Sequence, residues 1–407
     1  MVKKKKLLSL IMVTALAMGT LAGCGGATKE TASSNGGSKS LTVWSHLNSQ
    51  EVEKVNQLAE KWGQEKNVTV KVIEDKSDMQ SYAQVANSSK GPDIMFGLAN
   101  DNLGTFQKAG LLAEVPNGFI DESKYTSKQV IDAVTIGGKE YGVPLAQETV
   151  ALFYNKDKVK EVPKTMEELE TKAKEVGFEF DVNNFYMDYG FLAAQGGYVF
   201  KNNNGTLDPK DIGLGNDGAV KGYQFIQDLV VKDKFMAPDI NGDIAKGDFQ
   251  SGKSAFYISG PWDVAAFKDA GLNFGVVPMP TFGGKPVQTF LGVQAAFVSE
   301  KSANKDLAWD LMKYLTENCN DILIQQGNRI PATKAGVESD TFKKADNMVP
   351  FSDQAKNATP MPNIPEVQAM WTPGADGLKA LTSGTMDANA VAKQIAEQVK
   401  QGIEQQK

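Results

Sequence analysis

The order of apolar strand and amphipathic helix signals constrains this chain most. Leu41–Trp44 is a short apolar run. After it Val52, Val55, Leu58, Ala59 and Trp62 recur at helical spacing with charges between them. Val68–Ile73 alternates as a strand, a helix is predicted around 78–88, and Gly91-Pro92-Asp93 leads into a third strand at 94–97. A βαβαβ order calls for parallel strands with crossover helices. Asn48 followed by Glu51 predicts a capping box at the first helix, and Thr165 with Glu168 predicts another.

The pattern resumes after residue 150. A long helix is expected over 217–232, strands over 254–259, 274–278 and 293–298, and a helix over 303–318. The last sixty or so residues read as helical, closing on a polar helix from about Asp387. The 407 residues suggest about two to three domains. Two α/β units without a linker between them imply that the chain passes between them more than once.

The N-terminus specifies where the chain works. Lys3–Lys6 precede an apolar run from Leu7 to Leu21, a charged region and a hydrophobic region too short for a durable membrane span. The run ends in Leu21-Ala22-Gly23-Cys24, which resembles the lipobox of bacterial lipoproteins. That resemblance implies a signal peptide over 1–23, lipidation of Cys24, and attachment to the outer face of the cell membrane through acyl chains alone. Residues 24–40, rich in Gly, Ser and Thr, read as a flexible tether.

Composition excludes several functions. Residues 1–23 hold four lysines and no acids, so a chain of formal charge −6 becomes more acidic without them. Nucleic acid and anionic lipid are poor partners for such a surface. There is one histidine, His46, and one cysteine besides Cys24, Cys319. Metal sites and Ser/His or Cys/His catalysis usually need more, so neither metal nor cofactor is expected. The Gly-rich segments lack the spacings of phosphate-binding loops.

Several stretches then fall into a familiar series: GPDIMF (91–96), AGLLAEV (109–115), YGVPLAQE (141–148), FYNKD (153–157), AAQGGYVFKNNNG (193–205), GPW (260–262), LGV (291–293) and MPNIPEVQAMW (361–371). In this order they resemble the maltose-binding protein family. The resemblance implies an α/β, two-lobed periplasmic-binding-protein fold, each lobe a mostly parallel sheet flanked by helices, with the ligand cleft between lobes. Carried over, lobe one is 41–147 plus 295–341 and lobe two 148–294 plus 342–407. It further implies a malto-oligosaccharide ligand, permease subunits of an ABC importer with a cytoplasmic ATPase as partners, and a monomer.

A sugar offers flat C–H faces and a rim of hydroxyls, which call for aromatic planes and for carboxylates and amides. Trp262, Trp371 and Tyr186, with Phe185, match stacking positions of the family. Glu148 and Asp101 match carboxylates that meet sugar hydroxyls, with Asn100 competing for the second role and a helix N-cap as the alternative reading of Asp101. Met361 is expected as an apolar contact.

The charged rim departs from the family. Asn48 and Ser49 stand where an enteric member has an acid and a lysine, and Asn102 where it has an arginine, and all three are still expected among the ligand-binding residues. Asn184 replaces a glutamate, Ser77 (beside Lys76) a lysine, and Gly97-Leu98 a tryptophan. His46 is open to a cleft role or a structural one. Two other classes remain as alternatives. One is a glycosidase using Glu148 and Asp101 as paired carboxylates; the other is an adhesin, which accounts for the tether but not for the aromatics.

Overall fold

The computed structural model describes residues 39–406. The signal peptide, Cys24 and most of the tether lie outside the described residues. Lys39–Ser45 pairs in parallel with Val68–Glu74 on one side and Ile94–Ala99 on the other, as the βαβαβ reading requires. The crossover helix Ser49–Lys66 buries Val52, Val55, Ala59 and Trp62, so the apolar positions at helical spacing are its inward stripe. Its capping box is complete: the Asn48 side chain accepts from the Glu51 N–H, and the Glu51 carboxylate takes the Asn48 N–H. The second predicted box is shifted by one residue. Thr165 accepts from Glu168 N–H, but the Glu168 carboxylate takes the N–H of Lys164.

The larger sheet has the path Ile330–Pro331, Val143–Glu148, Phe290–Val298, Ile94–Ala99, Lys39–Ser45, Val68–Glu74, with Thr359–Pro360 added beside Phe290–Val298. A smaller sheet runs Phe274–Val277, Ala151–Asn155, Phe256–Ser259, Phe178–Glu179. Both are mixed, which corrects the expectation of mostly parallel sheets. Phe290–Val298 is antiparallel to both of its long neighbours, and Ala151–Asn155 to both of its own. The cause is the route of the chain. Val143–Glu148 leaves the larger sheet and runs straight into Ala151–Asn155 of the smaller one. Phe290–Val298 returns in the opposite direction, so outgoing and returning strands pair antiparallel. A helix crossover between them would have made them parallel.

After residue 359 the chain passes back to the smaller sheet's core. Helices Gln368–Thr382 and Ala388–Gln405 bury Met370, Leu378, Leu381, Val391, Ile395 and Val399 in the same cluster as Phe153, Phe178, Phe256 and Phe290. Two other clusters lie against the larger sheet, one around Trp62, Ile94 and Leu311, the other around Tyr82, Phe106 and Phe297. The helix expected over 217–232 runs as an α-helix from Asp217 to Gln227 and widens to a π-turn at Asp228–Lys232. Cys319 is buried, and burial pushes its thiol up to about 12, so it packs as an apolar side chain. Among the described residues, no helix is long and apolar enough to cross a membrane.

Candidate functional site

The strands that join the two sheets bring the sequence-predicted residues to one place. Glu148 is the last residue of Val143–Glu148, and Gly292 lies opposite it on the returning strand. A Cβ on Gly292 would meet Met361 Cε at 3.4 Å and the Tyr186 hydroxyl at 3.5 Å, so three of the expected residues surround one glycine. Tyr186 stands in the first turn of helix Phe185–Gln195, and its hydroxyl donates to the Glu148 carbonyl oxygen at 3.5 Å. Burial, then the carboxylates of Glu148 and Asp101, push its phenol pKa above the ordinary value.

The aromatic groups form a connected row. The Tyr186 ring lies 6.3 Å from Trp262 and 5.9 Å from Phe290, and Phe290 lies 6.2 Å from Trp371. Phe290 itself stacks on Tyr189 with centroids 3.7 Å apart and the planes 3° from parallel. Such contacts add about 0.5–1.5 kcal/mol beyond burial and hold the row in place. Trp262 is 44% exposed, an unusual state for so large an apolar side chain in a folded protein. It sits in the turn Pro261–Asp263 after the strand Phe256–Ser259, with its ring over Gly260, where a Cβ would fall 2.2 Å from the indole. Beneath it the buried Asp263 carboxylate accepts from the Tyr257 and Ser259 hydroxyls at 2.9 and 2.6 Å and pairs with Lys246 at 2.7 Å. The turn that presents Trp262 is thereby anchored.

Phe185 is placed differently from the sequence reading. It is buried, packed against Tyr189 and Phe290 and beneath Gly374, and offers no open face for stacking. One residue along a helix turns the side chain by about 100°, so Tyr186 faces Glu148, Gly292 and Trp262 while Phe185 faces the core.

The polar groups divide into structural and available sets. Asn100 is fully buried: its Nδ2 donates to the Met361 carbonyl at 3.0 Å and its Oδ1 accepts from Val293 N–H at 3.0 Å, which removes it as a competitor of Asp101. Asp101 lies in the turn Asn100–Asn102 and caps no helix. It accepts from Asn102 Nδ2 at 3.0 Å. Burial raises its carboxyl pKa to about 6, with its own backbone N–H and the Trp371 and Gln368 side chains opposing through hydrogen bonds. Asn102 is committed to Asp101 and the Ala99 carbonyl. Asn48 is committed to the capping box and to the Gln326 carbonyl, and Ser49 donates to Glu74 at 2.8 Å, beside the Lys76–Glu74 pair. His46 pairs with Asp75 at 2.9 Å, and Asp75 also takes both the N–H and the hydroxyl of Ser77. These bonds give His46, Asn48, Ser49, Ser77 and Asn102 structural work.

One member of the site escaped sequence reasoning. Arg329 follows a turn in which Gly327 is forced, since a Cβ there would lie 2.0 Å from Glu51 Oε1, and in which Asn328 has φ +48°. Its guanidinium donates to both Glu51 oxygens, at 2.6 and 3.0 Å, and also to Glu148 Oε1. Gln294 Nε2 donates to the other Glu148 oxygen at 3.2 Å. Burial pulls the Arg329 pKa down, but the two carboxylates outweigh it and hold the guanidinium above its usual value. Glu148 is therefore a fixed acceptor with one protein donor on each oxygen and free lone pairs on both. The Gly-Asn turn ahead of Arg329 was the available signal.

Aromatic planes and fixed carboxylates gather where strands join the two α/β layers. Among the described residues no group of three or more His, Cys, Asp or Glu is placed to hold a metal. Residues 57–350 match the family described as bacterial extracellular solute-binding protein, and the chain belongs to that family, whose members bind substrates rather than transform them. It is 32% identical to the galactooligosaccharide-binding protein of Bacillus subtilis (strain 168), over 98% of this chain and 97% of that one. It is 32% identical to the maltodextrin-binding protein MdxE of the same organism, over 100% of this chain and 99% of that one. The solved maltose-maltodextrin binding protein of Alicyclobacillus acidocaldarius superposes with a TM-score of 0.83 at 37% identity, covering 89% of this chain and 100% of that chain.

Proposed function

We propose that this protein binds malto-oligosaccharides between its two sheets and delivers them to an ABC importer. The row Trp262–Tyr186–Phe290–Trp371 beside the Arg329-held carboxylate of Glu148 carries the reading. Tyr186, Trp262 and Trp371 supply planes for the C–H faces of glucosyl units, with Met361 as an apolar contact, while Glu148 and Asp101 accept from their hydroxyls. In this reading lobe one is 41–147 plus 295–341 and lobe two 148–294 plus 342–407. The outgoing and returning strands between them act as the hinge. The protein is a monomer, tethered outside the cell membrane through a lipidated Cys24. Permease subunits read the closed form, and their ATPase works in the cytoplasm. Cys24→Ser should abolish labelling by a palmitate analogue; unchanged labelling would remove the anchor.

A galacto-oligosaccharide is the second reading, favoured by the equal identity to the galactooligosaccharide-binding relative. Calorimetric titration of residues 25–407 with maltotetraose and with a galacto-tetrasaccharide decides between them. Maltotetraose should bind at least tenfold more tightly, and Trp371→Ala should weaken it by about 2 kcal/mol, roughly thirty-fold. Tighter binding of the galacto-tetrasaccharide would replace the first reading by the second.

A further inference from the structure

Away from the ligand site, the described residues hold three Asn-Gly pairs: Asn117-Gly118, Asn204-Gly205 and Asn241-Gly242. Such a pair can modify itself. The glycine nitrogen attacks the asparagine side-chain carbonyl carbon, a five-membered succinimide closes, and ammonia leaves. Glycine favours the step because it has no Cβ to crowd the approach. The attack also needs an unpartnered side chain, a backbone nitrogen free of hydrogen bonds, and freedom to rotate the chain between them.

Two of the pairs are held. Asn241 is the N-cap of helix Gly242–Gln250, and its Oδ1 accepts from the Ile244 N–H at 3.0 Å. The Gly242 N–H donates to the Asp181 carboxylate. Asn204, with φ +55°, and Gly205, with φ +94°, form the tip of the hairpin that joins Phe200–Asn203 to Thr206–Ile212. There the Gly205 N–H donates to Asn202 Oδ1 at 2.7 Å. Reaction at either pair breaks a helix cap or a hairpin turn.

Asn117-Gly118 is different. Both residues are exposed. Neither the Asn117 side chain nor the Gly118 N–H has a hydrogen-bond partner among the described residues. Gly118 has φ +75°, and a Cβ there would meet nothing within 4 Å, so the backbone stands clear of its neighbours. One turn bond, from the Phe119 N–H to the Pro116 carbonyl at 3.0 Å, spans the pair.

We infer that Asn117 is a site of spontaneous deamidation. The bond from Gly118 N to Asn117 Cγ forms as the bond from Cγ to Nδ2 breaks, and the Gly118 amide proton leaves with the ammonia. Water then opens the ring at either carbonyl. One route gives aspartate; the other gives isoaspartate, whose main chain runs through the former side chain. Each product adds one negative charge. The Ala113 N–H bonds the Val298 carbonyl and the Val115 N–H the Glu140 carbonyl, which sets this segment at the strand ends opposite to Glu148 and Gly292. About six strand residues, roughly 20 Å, separate the two places, so the charge arises away from the ligand site.

The test ages the purified protein for weeks in warm neutral buffer, native and in urea. Its peptides are mapped by mass spectrometry with fragmentation that separates isoaspartate from aspartate. In urea all three pairs should react at similar rates, because the unfolded chain holds none of them in place. In the native protein Asn117 should react severalfold faster than Asn204 and Asn241, and near its own rate in urea. A more acidic species should accumulate on anion exchange with the same time course. Asn117→Gln should lack that species, since glutamine must close a slower six-membered ring. An Asn117 that stays intact in the native protein while reacting in urea would overturn the inference, as would Asn204 or Asn241 reacting first.

Discussion

Arg329 joins two carboxylates from separate elements, Glu51 of helix Ser49–Lys66, fully buried, and Glu148 at the end of strand Val143–Glu148. Removing one partner of such a group costs far more than the group contributes, because the remaining charges lose their compensation in a low dielectric. Arg329→Leu should destabilise the protein by about 3–5 kcal/mol in urea unfolding; a loss below about 1 kcal/mol would mean that Glu51 and Glu148 find other partners. Asp101 bears on pH. Its folded pKa of about 6 lies above the ordinary carboxyl value, so its proton is held by the folded state and released by the unfolded one between roughly 4 and 6. Its contribution to stability is full below that window and is lost as pH rises through 6. Ligand affinity should move the other way if the ionised carboxylate accepts from sugar hydroxyls. Affinity should fall as pH drops below about 6, by at most tenfold per unit, and Asp101→Asn should flatten the profile. A parent profile that is already flat from pH 5 to 7 would remove Asp101 from ligand recognition.

At the scale of the element, the turn after Phe256–Ser259 shows how local rules present a functional side chain. Gly260 leaves room for the Trp262 ring to fold back over the backbone, Pro261 opens the turn, and Asp263 ties it to Tyr257, Ser259 and Lys246. Gly260→Ala puts a methyl group inside the indole's volume, so the ring must swing away while the anchor at Asp263 stays. Oligosaccharide affinity should fall about tenfold with little change in the thermal midpoint. Equal affinity in the variant would show that the position of Trp262 is not what the ligand reads. Helix Phe185–Gln195 makes the complementary point. Its N-cap, Asn184, accepts from Tyr186 N–H and sets the helix start, which decides that residue 186 rather than 185 faces Glu148 and Trp262.

At the scale of the whole molecule, the strands Val143–Glu148 and Phe290–Val298 carry the chain between the sheets. If both sheet units contact one ligand, the closed arrangement gains contacts that the open one lacks. Small-angle scattering should give a smaller radius of gyration with saturating maltotetraose than without it, and identical curves would argue against closure. Much of this architecture was legible beforehand. The three parallel strands, both cap positions, the exposed Trp262 turn and the grouping of Glu148 with Tyr186 and Met361 follow from periodicity, turn chemistry and ordered family motifs. Local rules work there because strand, helix and turn signals are written within a few neighbouring residues. Other features depended on contacts between distant segments: the antiparallel return of Phe290–Val298, the burial of Phe185, the commitment of Asn48 and Asn102 to structural bonds, and the joining of Arg329 to Glu51 and Glu148. The sequence by itself determined which side chains could bind a sugar. Only the tertiary structure decided which of them are free to do so, because a polar group's availability depends on the partners that folding brings to it from far along the chain.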